Sequence, residues 1–339
     1  MSSALLPFEK LKREVLVKKP AKADVKFGCA PEQRSLKELM TSSVININKP
    51  KGPTSHQVSA YLQKIFHINK AGHSGTLDPN VTGVLPIALG RGTKVIQTLL
   101  TAGKEYVCIM HLHKEIEENK IRECLEQFIG KIKQMPPIKS AVKRQWRFRK
   151  IYYIEVLEID CQDVLFKVGC QAGTYIRKLC HDIGQELGIG AHMAELIRTK
   201  AGPFQFEKNL VTLQDCQDAI WYYEQEQNDT LLKSFLQPIE AAVQHLPKVW
   251  ITDQTVDAIC HGSNVNVPGI AKLESEIQVD EMVAIFTLKN ELVALGDIKM
   301  TSKEIIQAEK GLAIKVNKVA MLPDIYPKWK KDQSVLPAV

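Results

Sequence analysis

The stretch Lys70-Ala-Gly-His-Ser-Gly-Thr-Leu-Asp-Pro-Asn-Val-Thr-Gly83 sets one acidic side chain, Asp78, among three glycines and a proline. A lone carboxylate in a loop can act as a nucleophile or a base if it stays ionised and reachable. Gly72, Gly75 and Gly83 permit backbone conformations closed to other residues and let a bulky ligand approach. Pro79 stiffens the chain just after the acid. The competing reading of the same residues is structural, an Asx-type turn leading into a strand. The rest of the chain has to decide between them.

Other chemistries find less support. Gly90-Arg-Gly-Thr-Lys94 lacks the G-x-x-x-x-G-K-[ST] spacing that wraps phosphates, which disfavours nucleotide hydrolysis. His111 and His113 share a strand face, but no H-E-x-x-H or matching Cys/His set joins them, so no metal and no cofactor are expected. The eight cysteines are scattered without a C-x-x-C pair and read as buried thiols, neither a disulfide framework nor a zinc ribbon. No apolar run approaches the ~18 residues needed to cross a bilayer, and no signal-type segment follows Met1. A cytoplasmic protein with no membrane partner is the expectation.

The formal net charge of +7 is unevenly spread: six Lys/Arg fall between Lys139 and Lys150, and no acid occurs between Lys131 and Ile154. Such a block repels itself unless a polyanion neutralises it. Trp146 and Phe148 alternate with Arg147 and Arg149, and flat groups among cations suit stacking on unpaired bases. Pro136-Pro137 ahead of them predicts a projecting loop. The plainer alternative is a solvated surface loop.

These residues need a frame. A chain of 339 residues with 45% hydrophobic content can bury one substantial core and a second, smaller one. Val44–Asn48 alternates as a strand, and a turn then leads to a helix with Ser55 as its cap and Val58, Leu62 and Ile65 on its apolar stripe. A strand is expected over Leu85–Leu89, a helix over Thr93–Leu100, a strand over Lys104–His113 and a helix over Glu117–Phe128. Strands follow at Ile151–Ile159 and Val164–Gly169, then a helix capped by Thr174, a strand over His192–Thr199 and helices within 212–243. His245-Leu-Pro247 reads as a linker to a small β-rich domain, which holds a helix over Asp253–His261 and a hairpin turning near Asn290. The expected domains are therefore 1–42, an extension wrapping another part of the protein; 43–245, the larger domain; and 246–339.

In order along the chain, Ile47-Asn-Lys-Pro-Lys-Gly-Pro-Thr-Ser55, Ala71-Gly-His-Ser-Gly-Thr-Leu-Asp-Pro79 with Thr82-Gly-Val-Leu-Pro86, Gly103-Lys-Glu-Tyr106, Gly173-Thr-Tyr-Ile-Arg177 and Ala194-Glu-Leu-Ile-Arg-Thr199 resemble the successive motifs of the TruB/dyskerin pseudouridine synthases. His261-Gly with Val267-Pro-Gly-Ile-Ala271 also resembles a PUA domain, an RNA-binding module of the same enzymes. Ser140-Ala-Val-Lys-Arg144 with Arg149-Lys-Ile-Tyr152 is more similar to the archaeal, guide-dependent branch. A eukaryotic dyskerin would be expected to carry a long Lys-rich tail, where this sequence shows a short cluster at Lys328–Lys331 and ends at Val339. The resemblance implies an α/β (α+β) fold: a mixed, largely antiparallel sheet with flanking helices, plus a small β-barrel-like PUA domain. It implies that 43–245 is the catalytic domain and that the 1–42 extension packs on the PUA domain, 246–339.

It also implies the isomerisation of uridine in RNA to pseudouridine without metal or cofactor. By resemblance, Asp78 attacks the ribose anomeric carbon or acts at C2′ as a base, and Arg177 supplies the cation that keeps it ionised. Tyr106 stacks on the target base and helps remove the proton from its carbon. Tyr175 and Leu196 wall the pocket against water, and His73 helps splay the RNA. Lys49 and Pro50 support the loop from beneath. Lys143, Arg144 and Arg147 fall where the family has a mobile thumb that closes over RNA, so binding should weaken as salt rises. The implied partners are an H/ACA guide RNA, substrate rRNA or tRNA, and small accessory proteins of that ribonucleoprotein. Two other functions fit the same motifs less well: a stand-alone tRNA pseudouridine synthase, and a non-catalytic RNA-binding scaffold.

Overall fold

The computed structural model describes residues 4–136, 143 and 145–328. They fall into two units: Met40–Gln237 with the residues before Lys12, and Lys12–Leu39 with the residues from Pro238 onward.

In the first unit the alternating run forms strand β1 (Ser42–Lys49), followed by helix α1 (Ser55–Ile65), the short strand β2 (Ala71–His73) and β3 (Thr82–Gly90). The cap of α1 is Thr54, one residue earlier than expected. Its hydroxyl accepts the Gln57 N–H (3.2 Å) while the Gln57 carboxamide accepts the Thr54 N–H (2.8 Å), a reciprocal box that needs a Gln three residues after the cap. Ser55 is thereby freed, and its hydroxyl accepts the Leu77 N–H at 2.9 Å beside Asp78. Strands β1 and β3 are antiparallel, with Lys49 opposite Gly83. Both are buried over most of their length, as central strands covered on both faces must be.

Next come β4 (Lys104–Leu112), α2 (Glu118–Gln127), β5 (Gly130–Gln134), β6 (Arg147–Asp160), β7 (Asp163–Cys170), α3 (Ile176–Glu186) and β8 (Ala191–Ala201). The sheet runs β1-β3-β8-β4-β7-β6-β5, and the short strand Leu210–Val211 lies outside β1. The β3–β8 and outermost β1 pairings are parallel and the others along that path antiparallel, which gives the expected mixed, largely antiparallel sheet. The helix expected over Thr93–Leu100 is a 3₁₀ turn, Arg91–Val95, followed by an α-helix, Ile96–Thr101. Among the cysteines expected to be buried, Cys108, Cys124, Cys170, Cys180 and Cys216 are; Cys161 is exposed, in the tight turn between β6 and β7 where its φ is +51°.

The second unit is a seven-stranded sheet around its own apolar core, which includes Val249, Ile270, Leu273, Val283, Ile285, Val293 and Ile314. Strands Met282–Phe286 and Leu292–Ile298 form the expected hairpin, with Asn290 left-handed in the turn. Val15–Val17 adds an antiparallel edge strand to Ile270–Glu274. Among the described residues no helix is long and apolar enough to cross a membrane.

Candidate active site

Asp78 lies in the loop between β2 and β3, and the loop is pinned at the acid and just after it. Val81 N–H donates to the Asp78 carbonyl (3.0 Å), and Gly52 N–H to the Pro79 carbonyl (2.9 Å). Lys49, at the end of β1, is fully buried, and its ammonium donates to the carbonyls of Pro50 (2.9 Å), Pro79 (3.0 Å) and Val81 (2.9 Å). Burial lowers the pKa of Lys49, while the Asp78 charge raises it and Arg198 lowers it further. The loop is thus built around a buried cation, whereas the Asp78 side chain stays 53% exposed.

Arg177 is the second residue of α3, and its guanidinium donates directly to the Asp78 carboxylate across 99 residues of sequence. The helix starts one residue later than expected. Tyr175 occupies the cap position, and the Thr174 hydroxyl turns back to the Gln171 carbonyl (2.7 Å). What fixes this corner is Gln134, a buried residue ending β5. Its carboxamide accepts the Tyr175 N–H (3.0 Å) and donates to the Tyr175 carbonyl (3.2 Å), satisfying a backbone that no local side chain caps. Tyr175 itself is half-buried.

Tyr106 sits on β4, directly opposite Arg198 on β8. Arg198 is 1% exposed, its guanidinium donates to the Val84 carbonyl (2.7 Å) and the Gly75 carbonyl (3.4 Å), and its charge acts on the Tyr106 phenol across the strand pair. Burial raises the pKa of the Tyr106 phenol, Arg198 lowers it, and the Asp78 charge raises it. Burial likewise lowers the pKa of Arg198, and Tyr106 opposes that shift. The close β3–β8 approach requires glycine at position 83: its φ is +100°, and a Cβ there would stand 2.3 Å from the Arg198 carbonyl oxygen. Leu196, two residues before Arg198 on the strand, is buried.

His73, half-buried on β2, meets His56 edge-on at 4.7 Å, and its Nδ1 faces the Gly75 N–H at 3.4 Å. Burial foremost, with His56 and Arg198, brings its pKa down to about 4, so the ring is neutral near neutral pH. Sequence reasoning quoted Arg198 within a motif but gave it no role. The available signal was its alternation with Leu196, since residues two apart on a strand share a face.

Two of the three predicted RNA-binding cations, Lys143 and Arg147, are among the described residues, just before and at the start of β6, which pairs with β5. Lys143 is exposed, and its carbonyl accepts a long 3.4 Å hydrogen bond from Arg147, the first residue of β6; Arg144 lies outside the described residues. Lys131 stands 4.2 Å over the Phe148 ring and Lys133 4.7 Å over Trp146. Both aromatic rings are 56% exposed.

Comparison with known proteins bears on what this arrangement does. Residues 63–176 match the N-terminal domain of the TruB family pseudouridylate synthases, 177–244 the tRNA pseudouridylate synthase B C-terminal domain, 247–320 a PUA domain and 4–59 the DKCLD (NUC011) domain. The chain is 54% identical to "Probable tRNA pseudouridine synthase B" of Methanopyrus kandleri over 95% of both chains. Its fold matches a chain of a Cbf5-Nop10-Gar1 complex with a TM-score of 0.92 and 52% identity, covering 96% of this chain and 99% of that one. It matches a chain of an H/ACA RNP bound to a substrate RNA containing 2'-deoxyuridine with a TM-score of 0.91 and 50% identity, covering 96% and 100%. The chain belongs to the TruB family and is an RNA pseudouridine synthase of the Cbf5/dyskerin type.

Proposed function

We propose that this enzyme works as the catalytic subunit of an H/ACA guide-RNA ribonucleoprotein, with Asp78 as the group that acts on the sugar of the target uridine. The observation that carries the site assignment is the Asp78–Arg177 pair: two residues 99 positions apart, joined at the surface, with the carboxylate more than half exposed. An exposed carboxylate on a loop pinned from below can meet a flipped-out nucleoside without the loop rearranging. Its cationic neighbour favours the ionised form needed for attack at the anomeric carbon or for proton removal at C2′. Tyr106 offers its ring to the base and its hydroxyl to the carbon-bound proton. Tyr175 and Leu196 exclude water from a broken glycosidic bond, and His73, neutral near pH 7, helps open the RNA.

In this reading 43–245 is the catalytic domain, and the PUA domain from residue 246, with Lys12–Leu39 of the N-terminal extension in the same unit, holds the guide RNA. Lys143, Arg144 and Arg147, with the exposed Trp146 and Phe148 beside them, close over bound RNA. Guide pairing selects the uridines in rRNA or tRNA, small accessory proteins complete the particle, and the setting is cytoplasmic. Support comes from the solved relatives, which belong to a Cbf5-Nop10-Gar1 complex and to an H/ACA RNP bound to a substrate RNA. The test is to incubate the purified chain with tRNA and with an rRNA fragment, with and without guide RNA and accessory proteins, and to map pseudouridine. Product at guide-addressed positions only when the guide is present is expected. Full activity on tRNA without any guide would instead favour the stand-alone enzyme.

A further inference from the structure

We infer that Arg198 is a positioning residue that acts through Tyr106: its buried guanidinium holds the phenol oxygen and stabilises the charge that oxygen carries while it takes a proton from the target base. The inference rests on the function proposed above and deepens it.

The geometry is specific. Arg198 and Tyr106 are cross-strand partners on β8 and β4, so their Cβ atoms lie within a few ångströms and the side chains meet across the sheet face. The described bonds of the guanidinium go to the carbonyls of Val84 and Gly75. Val84 belongs to β3, and Gly75 lies in the Asp78 loop, three residues before the acid. One planar cation therefore ties the phenol to the loop that carries the carboxylate. All these acceptors are uncharged, so the guanidinium's positive charge is available to an anion forming on Tyr106. A buried cation is costly unless something nearby uses its charge, and Arg198 is among the most completely buried large side chains in the protein. Gly83 is required for its backbone to come so close to β3.

In the reaction the base loses one proton from C5 and gains one at N1. For the Tyr106 oxygen to accept the C5 proton, the phenol must first give up its own, which goes to N1, and desolvation disfavours the developing phenolate. The guanidinium paired with it across the strands offsets the penalty. Arg198 stays protonated throughout, and Tyr106 ends the cycle as it began.

Two measurements test this. The first is a double-variant cycle on single-turnover pseudouridine formation in the full assembly. Tyr106→Phe and Arg198→Met should each slow the reaction on the order of a hundredfold, and the double variant should be no slower than Tyr106→Phe within about threefold. Multiplied losses in the double variant would overturn the proposal. The same sub-additivity is expected with Arg198→Lys, which keeps the buried charge and fold should methionine unfold the site.

The second measurement needs no turnover, so it stands apart from the function proposed above. With 3-fluorotyrosine at position 106 in the RNA-free chain, fluorine NMR reads the phenol titration directly. Its midpoint should rise by about one pH unit or more when Arg198 becomes Met, and by less when it becomes Lys. A midpoint indifferent to both substitutions would show that Arg198 merely packs.

Discussion

Two sets of charges lie within one loop's reach of each other and are treated in opposite ways. At the surface, Asp78 and Arg177 form an ion pair with both side chains about half exposed. Beneath them Lys49, Lys104 and Arg198 are buried, and each spends its donors on uncharged acceptors, chiefly backbone carbonyls. An exposed pair adds little to folding because water screens it and its long side chains lose entropy in pairing. A buried cation is the reverse, since removing it strands the carbonyls it served. Charge kept at the surface is available for chemistry, whereas charge placed below builds the platform.

The sharpest way to break that distinction is at Asp78. Asp78→Asn keeps the shape and loses the charge, so product formation should fall by a factor of about 10⁴ or more. RNA affinity should stay within a few fold and the thermal midpoint should barely move. Residual activity near that of the unaltered chain, in the same pseudouridine-mapping assay, would remove Asp78 from the chemistry. Arg177→Met should cost on the order of a hundredfold in rate. Its effect on stability, read by denaturant unfolding, should be under about 1 kcal/mol. Lys49→Met should show the opposite pattern. The carbonyls of Pro50, Pro79 and Val81 lose the Lys49 donor together, and among the described residues only Pro79 keeps another, from Gly52 N–H, so unfolding free energy should drop by about 2–4 kcal/mol, and activity should fall only as far as the loop loosens. If Lys49→Met unfolds no more easily than Arg177→Met, the division between platform and chemistry is wrong.

How much of this could be read from the sequence follows the same line. Asp78, Tyr106 and Arg177 stand in motifs whose residue types announce chemistry, and the surface pair closes as that reading requires. The platform was less legible, because burial is a property of the assembled sheet. Arg198 in Ala194-Glu-Leu-Ile-Arg-Thr199 looks like any strand cation until β3 arrives in parallel beside it, an approach that Gly83 alone permits. The caps show both cases. Thr54 was recoverable, since Gln57 stands three residues on and completes the box, whereas counting from Ser55 reaches Val58. The α3 start was not, because the group that caps Tyr175 comes from Gln134, 41 residues away and on another element. Local hydroxyl rules name Thr174 there, and a long-range carboxamide takes its place.

The effect that pH alone can switch belongs to Lys104, the platform cation whose proton is held least firmly. Its ammonium donates to the carbonyls of Leu99 (2.6 Å), Leu100 (3.3 Å) and Ala102 (2.8 Å), yet burial foremost, aided by Arg198, lowers its pKa to about 7. In the unfolded chain the same group titrates near 10.4. Below about pH 7 both states carry the proton, and the folded state bears the full cost of a buried charge. Between there and about pH 10 the unfolded chain binds more protons than the folded one, so stability must rise with pH. The contribution can reach a slope of about 1.4 kcal/mol per pH unit. Unfolding free energies of the unaltered chain and Lys104→Met, measured in parallel from pH 6 to pH 10, isolate it. Their difference should be flat at the acid end and climb in favour of the unaltered chain above neutrality. A flat difference throughout would mean that the three carbonyls at this helix end hold Lys104 charged in the fold, as firmly as those around Asp78 hold Lys49.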